Sequence, residues 1–286
     1  MTNSSSKSLV FLGDMHSRSI YSITSSQIPK SRLKYPSIQK GLYQIWCDAL
    51  DARKQKTHLL FLNGEPDDGQ GEILKGTELW SPDFMDGVED SYRLLKMYNP
   101  KKFMATRGSN YHSDARGLTV EELIMEKFRD KVVPYSPYEG QAQIKVDGYN
   151  RTYNFAWLDV NGFLICVTHH VAGGRWFHYM TTPLAREMAA LTFELDKWLP
   201  EKYKGRKFIV VRSHQHKFVQ VGFSSSHGFV TPAWKLPDWF ILKGGMGGAM
   251  PNIGTVEVIV ESNGEFEVHP HIANASKYPK VNVIKI

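Results

Sequence analysis

The sequence predicts a layered α/β protein, built on a mixed sheet or on two packed sheets. Short continuous apolar runs recur along the chain, the pattern of strands buried on both faces. Amphipathic helical stretches alternate with these runs in the first half, and strand-rich sequence follows. Five of the runs also stop at a short polar cluster, so strands ending together at one sheet edge bring those clusters onto one rim.

Taken in order, Ser8-Leu9-Val10-Phe11-Leu12 is the first run and ends at Gly13. From Ser37 to about Arg53, Ile38, Leu42, Ile45, Trp46 and Ala49 recur at helical spacing. Leu59-Leu60-Phe61-Leu62 is a second buried strand, ending at Asn63-Gly64, and Lys102 to Thr106 is a third, ending at Arg107-Gly108. Thr119, with Glu122 three residues later, is a capping box that opens a short helix. Ile144 to Val160 reads as paired strands with a turn near Asp147-Gly148.

Phe163-Leu164-Ile165-Cys166-Val167 stops just before His169. Leu184, Met188, Leu191, Leu195 and Trp198 then follow the 3.6-residue period behind Pro183, the clearest helix of the chain. Phe208-Ile209-Val210-Val211 is a further buried strand and stops before His214. Thr255 to Glu261 and Glu265 to His269 form a hairpin joined at Asn263-Gly264. The run Gly244-Gly245-Met246-Gly247-Gly248 separates no compositionally distinct halves and reads as a loop. Residues 1–286 are therefore expected to form one domain, with 224–286 as a strand-rich C-terminal extension of it.

Composition removes several classes. Apolar content is 42%, yet no apolar run approaches the about 18–20 residues that span a bilayer, so no membrane role is expected. Met1 to Ser8 is polar and leads straight into a strand, which argues against a secretory signal. With only Cys47 and Cys166 there is neither a disulfide framework nor a thiolate metal site, and a cytoplasmic location is expected. The net charge of +6 leans toward anionic partners. The densest basic segment, Lys30, Arg32, Lys34 and Lys40, reads as a solvated loop leading into a helix, with contact to nucleic acid or substrate phosphate as the alternative. Oligomeric state is not legible.

The five strand-end clusters carry the chemistry. They are Gly13-Asp14-Met15-His16, Asn63-Gly64-Glu65-Pro66-Asp67-Asp68, Gly108-Ser109-Asn110-Tyr111-His112, Thr168-His169-His170 and Ser213-His214-Gln215-His216. Asp, Glu, Asn and His without Cys make a hard-to-borderline donor set suited to manganese, iron or zinc. Asp14 and His16 flank one residue and can reach one ion from the same side, and His214 and His216 repeat that spacing. Glu65 supplies a carboxylate able to bridge two ions, the arrangement that clamps the oxygens of a phosphoryl displacement. Singly, each cluster has a plainer explanation: Asp67-Asp68 beside Gly69 is most simply a turn, and one of His169 and His170 a core residue. His58, His178, His227, His269 and His271 belong to no such cluster and read as structural, with His227 the candidate exception.

In the order and spacing of these clusters the chain resembles the calcineurin-like metallophosphoesterase superfamily, over roughly Leu9 to His216. The looser third cluster is more similar to members carried by bacteriophages. The resemblance implies an α/β/β/α sandwich of four layers, with two mixed β-sheets and the metal site at the C-terminal ends of the strands. It implies that Asp14, His16 and His216 hold a first ion, that Glu65 bridges, and that Asn110, His169 and His214 complete a second site. It gives His112 the role of proton donor or charge stabiliser at the phosphoryl group, and Asp14 a place in the catalytic centre. Asp68 supports the site, and His170 is the fallback for His169.

Three departures stand out: Glu65 where the family has Asp, Tyr111 splitting the third motif so that either Ser109 or Asn110 takes the ligand place, and Ser213 in place of Gly. The function implied is hydrolysis of a phosphomonoester or phosphodiester by hydroxide held on two divalent ions, manganese foremost, with iron, zinc or nickel as alternatives. A nuclease with the same centre is one alternative, with Trp176, Phe177, Tyr179, Trp234 and Trp239 as candidate stacking residues. A non-catalytic binding or scaffold module with a degraded metal site is the other. The loops at 17–34, 69–87 and 224–251 are expected to shape the pocket.

Overall fold

The computed structural model of the chain describes residues 6–34, 36–69, 76–109, 119–136, 145–146, 149–150, 152–171, 179–238, 242 and 250–278. Strand β1 (Lys7–Leu12) is followed by helix α1 (Pro36–Asp51), β2 (Thr57–Asn63), α2 (Phe84–Lys96), β3 (Lys102–Thr106) and α3 (Val120–Lys127). Two short strands, β4 (Lys145–Val146) and β5 (Tyr149–Asn150), lead to β6 (Phe155–Val160), β7 (Phe163–Thr168), α4 (Thr182–Trp198) and β8 (Phe208–Arg212). The chain continues through β9 (Val219–Gly222), β10 (Ser226–Val230), β11 (Gly254–Val260) and β12 (Phe266–Ile272).

The strands form two mixed five-stranded sheets, ordered β12-β11-β1-β2-β3 and β6-β7-β8-β10-β9. In the first, β1, β2 and β3 are parallel and β11 runs antiparallel to β1. In the second, β7, β8 and β10 are parallel, with antiparallel β6 and β9 at the edges.

The apolar runs have no alternation because both faces of the inner strands are covered. On β1, Val10 and Leu12 face α1, α2 and α3, in one core with Trp46, Leu62, Leu95 and Ile124. Leu9 and Phe11 face the other way, into a core between the sheets with Phe61, Ile165, Val211 and Phe229. The outer face of the second sheet packs Leu164 and Val210 against Leu184 and Met188 of α4. Three apolar layers therefore separate four structural ones, α/β/β/α. That is the fold class the resemblance implies.

The strands containing residues after 224 are integral to both sheets: β10 lies beside β8, and β11 beside β1. The capping box at Thr119 is present, its side chain accepting from the Glu122 amide while the Glu122 carboxylate accepts from the Thr119 amide. Asp147-Gly148, the Gly244–Gly248 run, Trp176, Phe177, His178 and Trp239 lie outside the described residues.

Trp234 is not available for stacking on nucleic acid. It is fully buried, edge-on to Trp46 at 4.6 Å between ring centroids. Of the basic segment, Arg32 pairs with Asp86 at 2.9 Å and Lys34 donates to the Thr77 carbonyl, so both tie surface segments together.

Helix α2 is amphipathic, but its apolar residues alone do not outline its buried face, which mixes Val88, Leu94 and Leu95 with Gly87, Asp90 and Ser91. Asp90 is fully buried and accepts from the Ser25 amide with both oxygens. Burial, helped by the nearby Asp67 carboxylate, outweighs the Ser25 hydrogen bonds and Arg93 and raises its carboxyl to about 7. A carboxyl with a raised folded-state pKa is fully stabilising only in its protonated form. The protein should therefore lose up to about 4 kcal/mol of stability as pH rises from about 4 to about 7. Asp90→Asn should remove that slope, so the variant's advantage in urea unfolding is present at pH 8 and absent at pH 4.5.

Candidate metal centre

The parallel strands stop at a common edge, and all five clusters begin within a residue or two of a strand end: β1 at Leu12, β2 at Asn63, β3 at Thr106, β7 at Thr168 and β8 at Arg212. Asn63 ties four of these ends together. Its amide donates to the Thr168 carbonyl at 3.1 Å and to the Ser213 hydroxyl at 2.8 Å, while its side-chain oxygen accepts from the Thr106 hydroxyl at 2.6 Å. Its main-chain carbonyl lies 2.6 Å from His169 Nδ1, which donates to it. Ser213 thus has a structural use at the position where the family has glycine, and it also meets the Thr231 hydroxyl at 2.7 Å.

Asp14, His16, Glu65, His214 and His216 all have φ between +48° and +73°, the left-handed region, among seven such non-glycine residues described. Each carries roughly 1–2 kcal/mol of backbone strain, which persists only where surrounding structure enforces it. Five neighbours in space sharing that strain mark this edge as built for something other than packing.

Close approach explains the glycines. A Cβ on Gly64, itself at φ +76°, would sit 2.5 Å from His169 Nδ1. A Cβ on Gly108 would sit 2.7 Å from Glu65 Cγ, so the bare backbone there gives the longer Glu65 side chain its space.

Glu65 reaches in two directions. Its Oε2 is 3.2 Å from His16 Nε2, and its Oε1 is 3.1 Å from His169 Nε2 and 3.7 Å from His214 Nδ1. Asp14 Oδ1 lies 3.5 Å from His216 Nε2 and 3.9 Å from His169 Nε2, and its Oδ2 accepts from the His214 amide at 2.9 Å. His16 Nε2 and His216 Nε2 are 3.3 Å apart. Two quartets result, Asp14-His16-Glu65-His216 and Asp14-Glu65-His169-His214, each with ligand atoms close enough to surround one ion. The resemblance assigns Asp14 to one ion; the structure puts it within reach of both.

The donor chemistry fits metal ions. Asp14 Oδ1 and His169 Nε2 are buried without a hydrogen-bond partner among the described residues. His169 donates through Nδ1 to Asn63, and His16 Nδ1 lies 2.7 Å from Asp68 Oδ1, so both rings turn Nε2 inward. A histidine held this way by a carbonyl or carboxylate is the usual arrangement of a metal ligand.

With protons alone, the cluster still balances its charge. Burial disfavours the Asp14 and Glu65 carboxylates, but their histidine neighbours overcome it and hold both below the usual range. Burial and Lys235 disfavour a charged His16, yet Asp68 and Glu65 lift it to about 9. Glu65, Asp14 and the Asn63 carbonyl do the same for His169 against its burial, also to about 9.

His169 takes the buried place, while His170 is exposed at the mouth, 4.6 Å from the His214 ring, in a trio with His169 and His214. Ser109 is buried, and its amide (3.2 Å) and hydroxyl both donate to Glu65 Oε1. Asn110 and His112 lie outside the described residues. Asp67 and Asp68 do more than turn the chain. Asp67 forms a buried two-pronged pair with Arg18, with contacts of 2.6–3.0 Å. Asp68 bridges His16 and Lys235, the latter at 2.8 Å.

Sequence reasoning missed Arg18, Asn63 as a hub, Lys235, and Glu121, whose carboxylate accepts from the Gly108 and Glu65 amides. Asn63 and Glu121 had a legible signal, since each is polar inside or beside an apolar element. His227 sits at the start of β10, near the opposite end of the sheet, against Phe266.

No family model matches the chain, and no curated protein matches it. Among solved structures, a single mutant of Vps29 from Entamoeba histolytica is similar at 12% identity and a TM-score of 0.39, covering 93% of this chain and 99% of that one. YfcE, a phosphoesterase from E. coli, is similar at 13% identity and a TM-score of 0.37, covering 91% and 96%. A predicted phosphoesterase from Streptococcus pneumoniae is similar at 10% identity and a TM-score of 0.34, covering 93% and 98%. Likeness at this level decides nothing about activity, which rests on the geometry above. No helix among the described residues is long and apolar enough to cross a membrane.

Asn63→Ala removes three hydrogen bonds from the buried edge, to the Thr168 carbonyl and the Ser213 and Thr106 hydroxyls, at about 1 kcal/mol each. Urea unfolding should show a loss of about 3 kcal/mol, and a loss under about 1 kcal/mol would mean the four strand ends are held by other contacts.

Proposed function

We propose that the chain is a metal-dependent phosphoesterase that hydrolyses a phosphomonoester or phosphodiester at this edge. The observation that carries the reading is the pair of histidine-carboxylate quartets sharing Asp14 and Glu65. His16 and His216 would hold one divalent ion and His169 and His214 the other, with both carboxylates common to the two. Manganese is the first choice for such a donor set, with iron, zinc or nickel as alternatives. Ions held in this way supply a nucleophile at neutral pH and neutralise charge on the phosphoryl oxygens.

The chain's own residues do the rest. Asp68, anchored by Lys235, orients His16, and Asn63 orients His169. Ser109 fixes the Glu65 carboxylate through its amide and hydroxyl. His214 and His216 are partly exposed, with side-chain exposures of 39% and 19%, so the ester approaches from their side. His112 is assigned the proton for the leaving group, and Asn110 a place beside the second ion. Glu65 has both oxygens engaged, one toward each quartet, which favours an intact centre over a degraded one.

Turnover of an aryl phosphate monoester and of the corresponding diester, with added manganese, tests the reading. Wild type should hydrolyse at least one, a chelator should stop it, and Asp14→Asn and His214→Ala should abolish it. Hydrolysis of DNA or RNA lost in the same variants would select the nuclease branch. No turnover and no bound ion would leave a binding module. Asp68→Ala should weaken metal binding about 10–100-fold by calorimetry while the protein stays folded.

A further inference from the structure

The opposite end of the sandwich carries a second feature that the metal centre does not use. A cavity of about 280 Å³ opens there between the sheets, at the starts of β1, β2 and β3. Six-residue β1 alone puts about 20 Å between the two ends. One wall is Leu9, Leu59 and Met104 of the first sheet, and the facing wall is Leu158 and Val160 of edge strand β6. Tyr135 contributes aromatic surface, whereas the Trp157 ring packs on the outer face of the second sheet.

The rim is cationic. Strand alternation puts Lys7 on the same face as Leu9, and Lys102 on the same face as Met104, so both point toward the gap between the sheets. His58 stands between them on β2. Lys7 and Lys102 have no ion-pair partner among the described residues, whereas the acid at the rim, Asp159, is already matched by Arg206 at 3.3 Å. The His58 imidazole reports the resulting field: its burial, then Lys102, Lys7 and Lys101, hold it below its ordinary value. An apolar space beside Tyr135, under two lysines with no ion-pair partner among the described residues, is complementary to one chemistry, an apolar body with an anionic head.

We propose that this cavity is a second binding site, for a small organic anion with an apolar or aromatic body. Its volume is at the low end for ligand pockets, which suits a bicyclic acid rather than a nucleotide polymer or a peptide. The inference is independent of the metal-centre reading.

1-Naphthoate is a suitable probe, titrated by calorimetry into the full chain. Wild type and His216→Ala should bind one equivalent with equal affinity. The double variant Lys7→Gln/Lys102→Gln, checked for an unchanged thermal midpoint, should bind about tenfold more weakly, since each charge acts at a solvent-facing rim. The neutral analogue 1-naphthalenemethanol should bind wild type more weakly than the acid does. Absence of saturable binding would overturn the proposal, as would equal affinity in the lysine variant, equal affinity for the alcohol, or loss of binding in His216→Ala. Leu158→Trp, which fills the gap without touching charge, should also abolish binding, and retention of full affinity there would place the acid elsewhere.

Discussion

The Asn63 side chain is the constraint on which the rest of this edge depends. Two sheets packed face to face have no reason to align their strand ends, since the apolar layer between them tolerates many offsets. One buried amide that binds the ends of β3, β7 and β8 from the end of β2 removes that freedom. Its own carbonyl then fixes the tautomer of His169. Packing brings the sheets together, and a polar knot decides which residues face each other across the gap.

The second constraint is charge. Asp14 and Glu65 are buried carboxylates, and such groups are costly to hold without positive partners. Four histidines surround them, two of those made more basic by these carboxylates together with Asp68 behind His16 and the Asn63 carbonyl behind His169. Protons meet the need when nothing else does, yet the inward-facing lone pairs and the strained backbone at five positions are better matched to cations. The bound Asp68–Lys235 pair and the Arg18–Asp67 pair sit one layer out, so the loops that carry the ligands are held from behind.

Much of this was legible in the chain. The five clusters could be found because each follows a run whose burial on two faces erases alternation, and because a strand end is where polar residues can face a cleft. The capping box located α3 from two residues alone. What escaped notice depends on contacts far apart in sequence: Asp68 meets Lys235 across 167 positions and Asn63 meets Ser213 across 150. No local pattern announces such partners. Helix α2 was hidden for another reason, since Gly87, Asp90 and Ser91 interrupt its apolar face. Asp14 reaching both quartets was equally invisible, because motif spacing orders residues along the chain and says nothing of the left-handed backbone that turns this one inward.

In the proposed centre, Glu65 and Asp14 are shared between two cation sites. Native mass spectrometry of the manganese-loaded protein counts the ions directly. Wild type should carry two, Glu65→Ala at most one, and His16→Ala and His169→Ala one each, from opposite sides of the shared carboxylates. A wild-type protein that saturates with a single ion, or a Glu65→Ala variant that still holds two, would contradict that sharing.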